Sequence, residues 1–239
     1  RDSCLRAADK TMRTTASLLR GTRLAGRPRG LHNVLAAGRW EELVAGGAAA
    51  RVGDPAFVEG CRAQYVSQGW CHVPAFIPPS VCETLRAEAA ELLESDGAFA
   101  SSDDHTVYQE ELDPALPPDH PRNRLMQSTK RIADYAVLPR GSGLRDLYAA
   151  PQLRRFVEEV VGVPSLHLSA CPFNSAMYNG YYDSDGLGWH FDRSEFGVNL
   201  VLQSPSAGGE FEYHRLTRSE DDLWAYEAVE QVLREAEGG

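Results

Sequence analysis

His190 and Asp192 stand two residues apart in the run Gly188-Trp189-His190-Phe191-Asp192-Arg193. In an extended strand that spacing sends both side chains to one face, because successive side chains alternate. An imidazole nitrogen and a carboxylate oxygen on a shared face are two of the three protein donors in a 2-His-1-carboxylate iron centre. Alone the pattern is weak, since His-x-Asp arises by chance and a strand histidine is most often a hydrogen-bonded structural residue. A third donor would have to come from a later strand. Downstream of Asp192 the sequence holds one histidine, His214, just past a Gly-Gly-Glu run, and neither Arg218 nor Arg234 sits in a supporting motif.

The elements that would position this pair can be read from periodicity and punctuation. Pro55–Ser67 reads as a helix, Trp70–Phe76 as a short strand kept near an edge by Pro74, and Pro78-Pro79-Ser80 as the start of a helix running to Leu93. Residues 96–122 are polar and rich in Pro and Asp, which predicts a long loop with a strand at His105–Tyr108. A helix fits Leu144–Val161, broken at Pro151. Strand-like runs then follow at Leu166–Ala170, Ser175–Asn179, Trp189–Asp192, Val198–Gln203 and Glu210–His214, separated by turn residues as in a sandwich or barrel. A last helix fits Asp221–Ala236, with Ser219 as its N-cap. Asp183, Asp185 and Gly186 echo a calcium loop, but without the later ligands of an EF-hand they read as a turn. Glu210 and Glu212 read as a solvated strand face.

Composition narrows the function classes. The net charge of −10 over 239 residues is unevenly spread: residues 1–40 hold nine Lys or Arg against two Asp or Glu, leaving 15 basic and 32 acidic side chains in the body. An acidic body repels phosphate backbones, which argues against nucleic acid as a partner. No apolar run reaches the roughly 18–20 residues of a membrane span. Five scattered cysteines without a Cys-x-x-Cys pair point to free thiols in an intracellular reducing compartment. The basic N-terminal stretch, with Leu5, Ala8, Met12, Ala16 and Leu19 at helical spacing, suits either an organellar transit remnant (mitochondrion or plastid) or, in a cytoplasmic protein, an arm that docks on the acidic body. The chain divides into a basic helical arm over 1–52, a body over 53–214 and a C-terminal helix over 215–239. Neither a P-loop nor a Gly-x-Ser-x-Gly elbow is present in the sequence.

Several motifs in order resemble one family. They are the Gly-Trp-x-x-Val-Pro-x-Phe run (Gly69–Phe76), the Pro78-to-Cys82 helix start, Met177-Tyr178-Asn179-Gly180, Trp189–Phe196, Val198–Gln203 and Gly208-Gly209-Glu210-Phe211. Residues 56–213 thereby resemble the iron(II)/2-oxoglutarate-dependent oxygenases, near the phytanoyl-CoA-hydroxylase and prolyl-hydroxylase branches. The resemblance implies an α+β chain built on a double-stranded β-helix (jelly-roll), incomplete here, with flanking helices. It implies His190 and Asp192 as metal ligands for Fe(II), Tyr178 and Asn174 as contacts of 2-oxoglutarate, and Arg193 and Ser194 as residues bordering the substrate. The co-substrates would be 2-oxoglutarate and O2, and the reaction hydroxylation of a small organic molecule. An aspartate at position 192 disfavours halogenation, which needs that carboxylate replaced so that chloride can bind iron. The family's distal histidine, and the arginine that grips the far carboxylate of 2-oxoglutarate, have no counterpart in this sequence. A partial barrel leaves strand edges open, so a further C-terminal portion, the N-terminal helices, a second copy or a partner subunit is expected to close the sheet. The alternative function is a catalytically inactive, oxygenase-derived structural or accessory subunit of a larger complex. Arg122, Arg124 and Lys130 form a basic group that is either a lure for an acidic substrate or ordinary surface charge.

Overall fold

The computed structural model describes residues 39–169, 171, 173, 175–192, 194, 196–215 and 222–238. Within them the chain is α+β: helices pack among themselves and against a small antiparallel sheet. Helix α1 (Pro55–Gln68) begins where Asp54 accepts a hydrogen bond from the Ala56 N–H at 3.0 Å, with Pro55 in the first turn. It ends at Gly69, whose φ of 83° is the left-handed geometry that glycine adopts without a Cβ penalty. Helix α2 (Pro79–Glu94) also opens on proline. Helices α3 (Gly143–Ala149) and α4 (Pro151–Val161) are one helical stretch cut by Pro151, which holds Ala150 extended. The C-terminal helix α5 covers Tyr226–Gly238. Among the described residues no helix is long and apolar enough to cross a membrane.

The sheet is built around strand β2 (Leu125–Ala133), which pairs along its length with β1 (Phe99–Thr106). Its other edge is shared by two short strands, β3 (Tyr178–Gly180) against Arg131–Ala133 and β4 (Gly186–Leu187) against Ser128 and Thr129. Register assigns faces, because directly opposed residues project to the same side. Met126, Ser128, Lys130 and Ile132 therefore share a face with His105, Asp103 and Ser101 of β1 and with Asn179 of β3. The opposite face carries Arg131, Ala133 and Tyr178 and is covered by α2: Leu93 packs on Ala133 and Tyr178, and Arg131 Nε donates to the Leu93 carbonyl at 2.8 Å.

Two further apolar clusters hold the helices. The largest joins α1, α4 and residues 40–52, with Trp40, Val44, Ala49 and Leu85 buried and Phe57 stacked on Phe156 at 5.9 Å. Residues 39–52, which composition groups with the basic arm, are thus part of this core; residues 1–38 of the arm lie outside the described residues. The other cluster packs α5 on Val107 and Tyr108, with Trp189 and Phe191 against it.

Several strand expectations are corrected. Trp70–Phe76 is not a strand. Pro74 has no N–H to give a ladder, Ala75 has a φ of 50°, and the carbonyls of Ala75 and Phe76 accept from Ala48 and Ala49 in a 3-10 turn. Residues 99–106, read as loop up to His105, form β1. Of the five later runs, only Ser175–Asn179 includes described strand residues, Tyr178 and Asn179 of β3, and the unexpected Gly186–Leu187 joins it. Residues 198–203 instead lay Leu200 and Leu202 on the helical core, and residues 210–215 are irregular. The last helix starts at Tyr226, not near Asp221, and Asp222 accepts from the Ala225 N–H just ahead of it. Ser219 and Arg218 lie outside the described residues.

Candidate metal centre

Ser128, in the middle of β2, organises the site. Its hydroxyl accepts the Gly188 N–H at 3.0 Å and lies 2.7 Å from His105 Nε2. His105 Nδ1 is 3.0 Å from the Thr106 carbonyl, which can only accept, so Nδ1 carries the proton and Nε2 accepts from Ser128. Gly188 fits here because it is small: a Cβ at this position would lie 2.7 Å from Met126 Cβ and 2.9 Å from the Gln127 carbonyl oxygen. Beyond Gly188 the chain alternates as a strand would, although it is not in a ladder. Trp189 and Phe191 turn into the α5 cluster. The Phe191 N–H donates to Val107 O at 2.7 Å, and Gln109 Nε2 donates to Phe191 O at 2.8 Å.

His190 and Asp192 turn the other way and meet. His190 Nδ1 is 2.7 Å from the Gly188 carbonyl, and Nε2 is 3.2 Å from Asp192 Oδ1. The carbonyl accepts only, so Nδ1 holds a hydrogen and the neutral ring would present its Nε2 lone pair to a carboxylate. Two lone pairs that close repel, so the contact calls for a positive charge between them, a proton or a metal ion. The hydrogen bond to Asp192 accordingly raises the His190 pKa, with burial and the Lys130 charge opposing it. Two donors about 2.1 Å from one metal and at right angles to each other would be about 3.0 Å apart. The pair thus fits two adjacent ligands, with the ring tautomer set as in carbonyl-supported metal histidines. The His105 ring lies edge-on to His190 at 5.8 Å between centroids. Among the described residues no group of three or more His, Cys, Asp or Glu is disposed to hold a metal ion.

The other expected site residues are distributed differently. Tyr178 is on the opposite face of the sheet, buried against α2, where its hydroxyl donates to Glu88 Oε1 at 2.7 Å; the structure does not bring it to His190 and Asp192. Ser194 lies two residues beyond Asp192 and is half-buried. Asn174 and Arg193 are outside the described residues. His214, Glu210 and Glu212 are exposed. Arg234 pairs with Glu230 within α5. Asp183 and Ser184 form a turn, closed by Asp185 accepting from the Tyr182 N–H, and Gly186 begins β4. Of the basic group, Arg122 is buried with its guanidinium over Trp224 and Tyr108, and Arg124 pairs with Glu230. Lys130 remains on the site face. Its burial lowers its pKa, and the nearby charge of Asp192 raises it. Sequence reasoning missed His105 and Ser128; no local motif marks them, and only the register of β1 on β2 brings them to the site.

Residues 54–235 match the Halogenase D family. No curated protein matches the chain.

Proposed function

The chain belongs to the Halogenase D family, and from that premise we propose that it is an iron(II)- and 2-oxoglutarate-dependent oxygenase that hydroxylates a small organic substrate. The observation that carries this reading is the His190–Asp192 contact, with Nδ1 tied to Gly188 and Nε2 facing the carboxylate. His190 and Asp192 would hold Fe(II), and the four-stranded sheet would be one part of a double-stranded β-helix. When bound, the iron and 2-oxoglutarate supply the oxidising power for O2 chemistry; the protein supplies ligation and orientation. Ser128 and Gly188 fix the histidine, and Trp189 and Phe191 anchor its segment from behind.

The family's name raises chlorination as a second outcome. Asp192 favours hydroxylation, because its carboxylate would take the place a chloride ion would need beside the metal.

Anaerobic titration with Fe(II) and 2-oxoglutarate tests the reading. A visible metal-to-ligand charge-transfer band is expected for the native chain, lost in His190→Ala and Asp192→Ala. The native band is expected to be indifferent to chloride, and that of Asp192→Gly, where one forms, to shift with it. No band, or a band unchanged in His190→Ala, would overturn the proposal in favour of an oxygenase-derived accessory subunit.

A further inference from the structure

We propose that Gln109 is the positioning residue of the His190–Asp192 pair. This inference rests on the site reading above and adds what sets the spacing of the two donors. Phe191 stands between them, so the peptide planes on either side of it decide where His190 and Asp192 point. Both planes are fixed by one turn. The Phe191 N–H donates to Val107 O at 2.7 Å, which orients the peptide that follows His190. Gln109 Nε2 donates to Phe191 O at 2.8 Å, which orients the peptide that leads into Asp192. Tyr108, between the two, sets its ring 5.4 Å from the Phe191 ring. Three consecutive residues thus hold Phe191 by backbone, ring and side chain.

Gln109 holds this place in a backbone conformation where glycine or asparagine is the usual residue. Its φ is 53°, in the left-handed region where a Cβ crowds the following carbonyl. The turn enforces that conformation. The Gln109 N–H donates to Thr106 O at 2.9 Å, and the buried Thr106 hydroxyl accepts the Glu110 N–H at 3.2 Å. A glycine would make the same turn without strain but would bring no side-chain donor to Phe191 O. Strained non-glycine residues persist where the surrounding structure over-determines them, and they cluster at functional sites. The neutral amide also suits the place chemically. A carboxylate there would repel the Phe191 carbonyl, and an ammonium would compete with a metal ion for Asp192.

The test compares the native chain with Gln109→Gly, Gln109→Met and Gln109→Asn. Glycine removes donor and strain together. Methionine keeps the length and the strain and drops the donor, and asparagine tolerates the turn but carries its amide one methylene short. Co(II) alone, titrated and read in its visible absorption, gives the affinity of the site. Urea unfolding of the metal-free protein gives the stability. All three variants are expected to bind Co(II) at least about fivefold more weakly than the native chain, as for other residues that orient a metal ligand. The urea midpoint is expected to fall in Gln109→Met and to hold or rise in Gln109→Gly. Weaker metal binding at undiminished stability is the signature that a merely structural residue would not give. A smaller loss of Co(II) affinity overturns the proposal, as does a loss confined to variants whose midpoint also falls.

A native chain that binds no Co(II) sinks the metal-centre reading separately. The positioning role is then decided on the metal-free protein by amide hydrogen exchange, read at Phe191 and, as a reference, at Val229 in α5. Faster exchange at Phe191 in Gln109→Gly, with Val229 unchanged, sustains it. Unchanged exchange at Phe191, or acceleration at both residues, ends the proposal.

Discussion

Replacing Tyr178 by phenylalanine separates two roles that the motif Met177-Tyr178-Asn179-Gly180 leaves open. The phenol is 4% exposed and donates to Glu88 Oε1 at 2.7 Å; the same oxygen accepts from Ser142 Oγ at 2.5 Å, and Ser142 is itself fully buried. This three-residue link ties β3 to α2 and to the cap of α3. Burial and the Glu88 carboxylate push the Tyr178 pKa up, so the hydroxyl stays protonated and donates across the working pH range. Removing it deletes one hydrogen bond to a charged acceptor, about 1.5–3 kcal/mol, while Ser142 keeps the carboxylate partly satisfied. The expected cost is about 2 kcal/mol, or about 4–8 °C in Tm for a chain of this size. Glu88→Ala should cost more, because two buried hydroxyls lose their acceptor at about 1–3 kcal/mol each.

The assay pairs urea denaturation, reading the midpoint at constant m-value, with the 2-oxoglutarate titration. Tyr178→Phe is expected to lower the midpoint and leave 2-oxoglutarate affinity within about twofold. The reasoning fails if affinity drops about tenfold at unchanged stability, for the phenol would then reach the His190 face and not α2.

Two other outcomes follow from local geometry. Gly188→Ala forces a Cβ to within 2.7 Å of Met126 and 2.9 Å of the β2 backbone; it should cost about 1–3 kcal/mol and weaken metal binding, whereas Gly186→Ala, with nothing within 4 Å, should do neither, as thermal melts and metal titrations of the two variants will show. Cys71, whose thiol burial and contact with Cys61 push up to about 12, should be about one part in ten thousand thiolate at pH 8 and resist iodoacetamide until the chain is unfolded; labelling of the native protein at the rate of a free thiol would contradict this.

Helices were legible because their ends are chemical. Asp54-Pro55 and Gly69 bracket α1, Pro79 starts α2, and Pro151 divides α3 from α4. Strands were less so. The Ser101-Ser102-Asp103-Asp104 stretch of β1 has neither alternation nor branched residues, and it is a strand because β2 lies beside it. Trp70–Phe76 has strand-like composition, but its carbonyls found donors in the Ala48 turn. At the site, the alternation of Trp189 and Phe191 against His190 and Asp192 was visible in advance. The face of Tyr178 was not, since it depends on register: pairing Ile132 with Asn179 sends Tyr178 to the helical side, and a slip of one residue would reverse it.

How firmly the pair is held depends on elements distant from it in sequence. Among the described residues the His190 segment is in no ladder and is held by Gly188 N–H on Ser128, Phe191 N–H on Val107, and Phe191 O under Gln109. Between those points its position depends on Trp189 and Phe191, which pack against Tyr108, Val229 and Leu233. Tyr108 in turn donates to the Trp224 carbonyl at 2.6 Å, immediately ahead of α5. The separation of His190 and Asp192 is therefore tied to the docking of α5 as much as to β2. A metal site needs donors held to a few tenths of an ångström, and here a rigid strand supplies one side of that constraint and a helix packed from the far end of the sequence supplies the other. On this argument α5 is a structural part of the candidate centre, although none of its side chains faces the ligands among the contacts described.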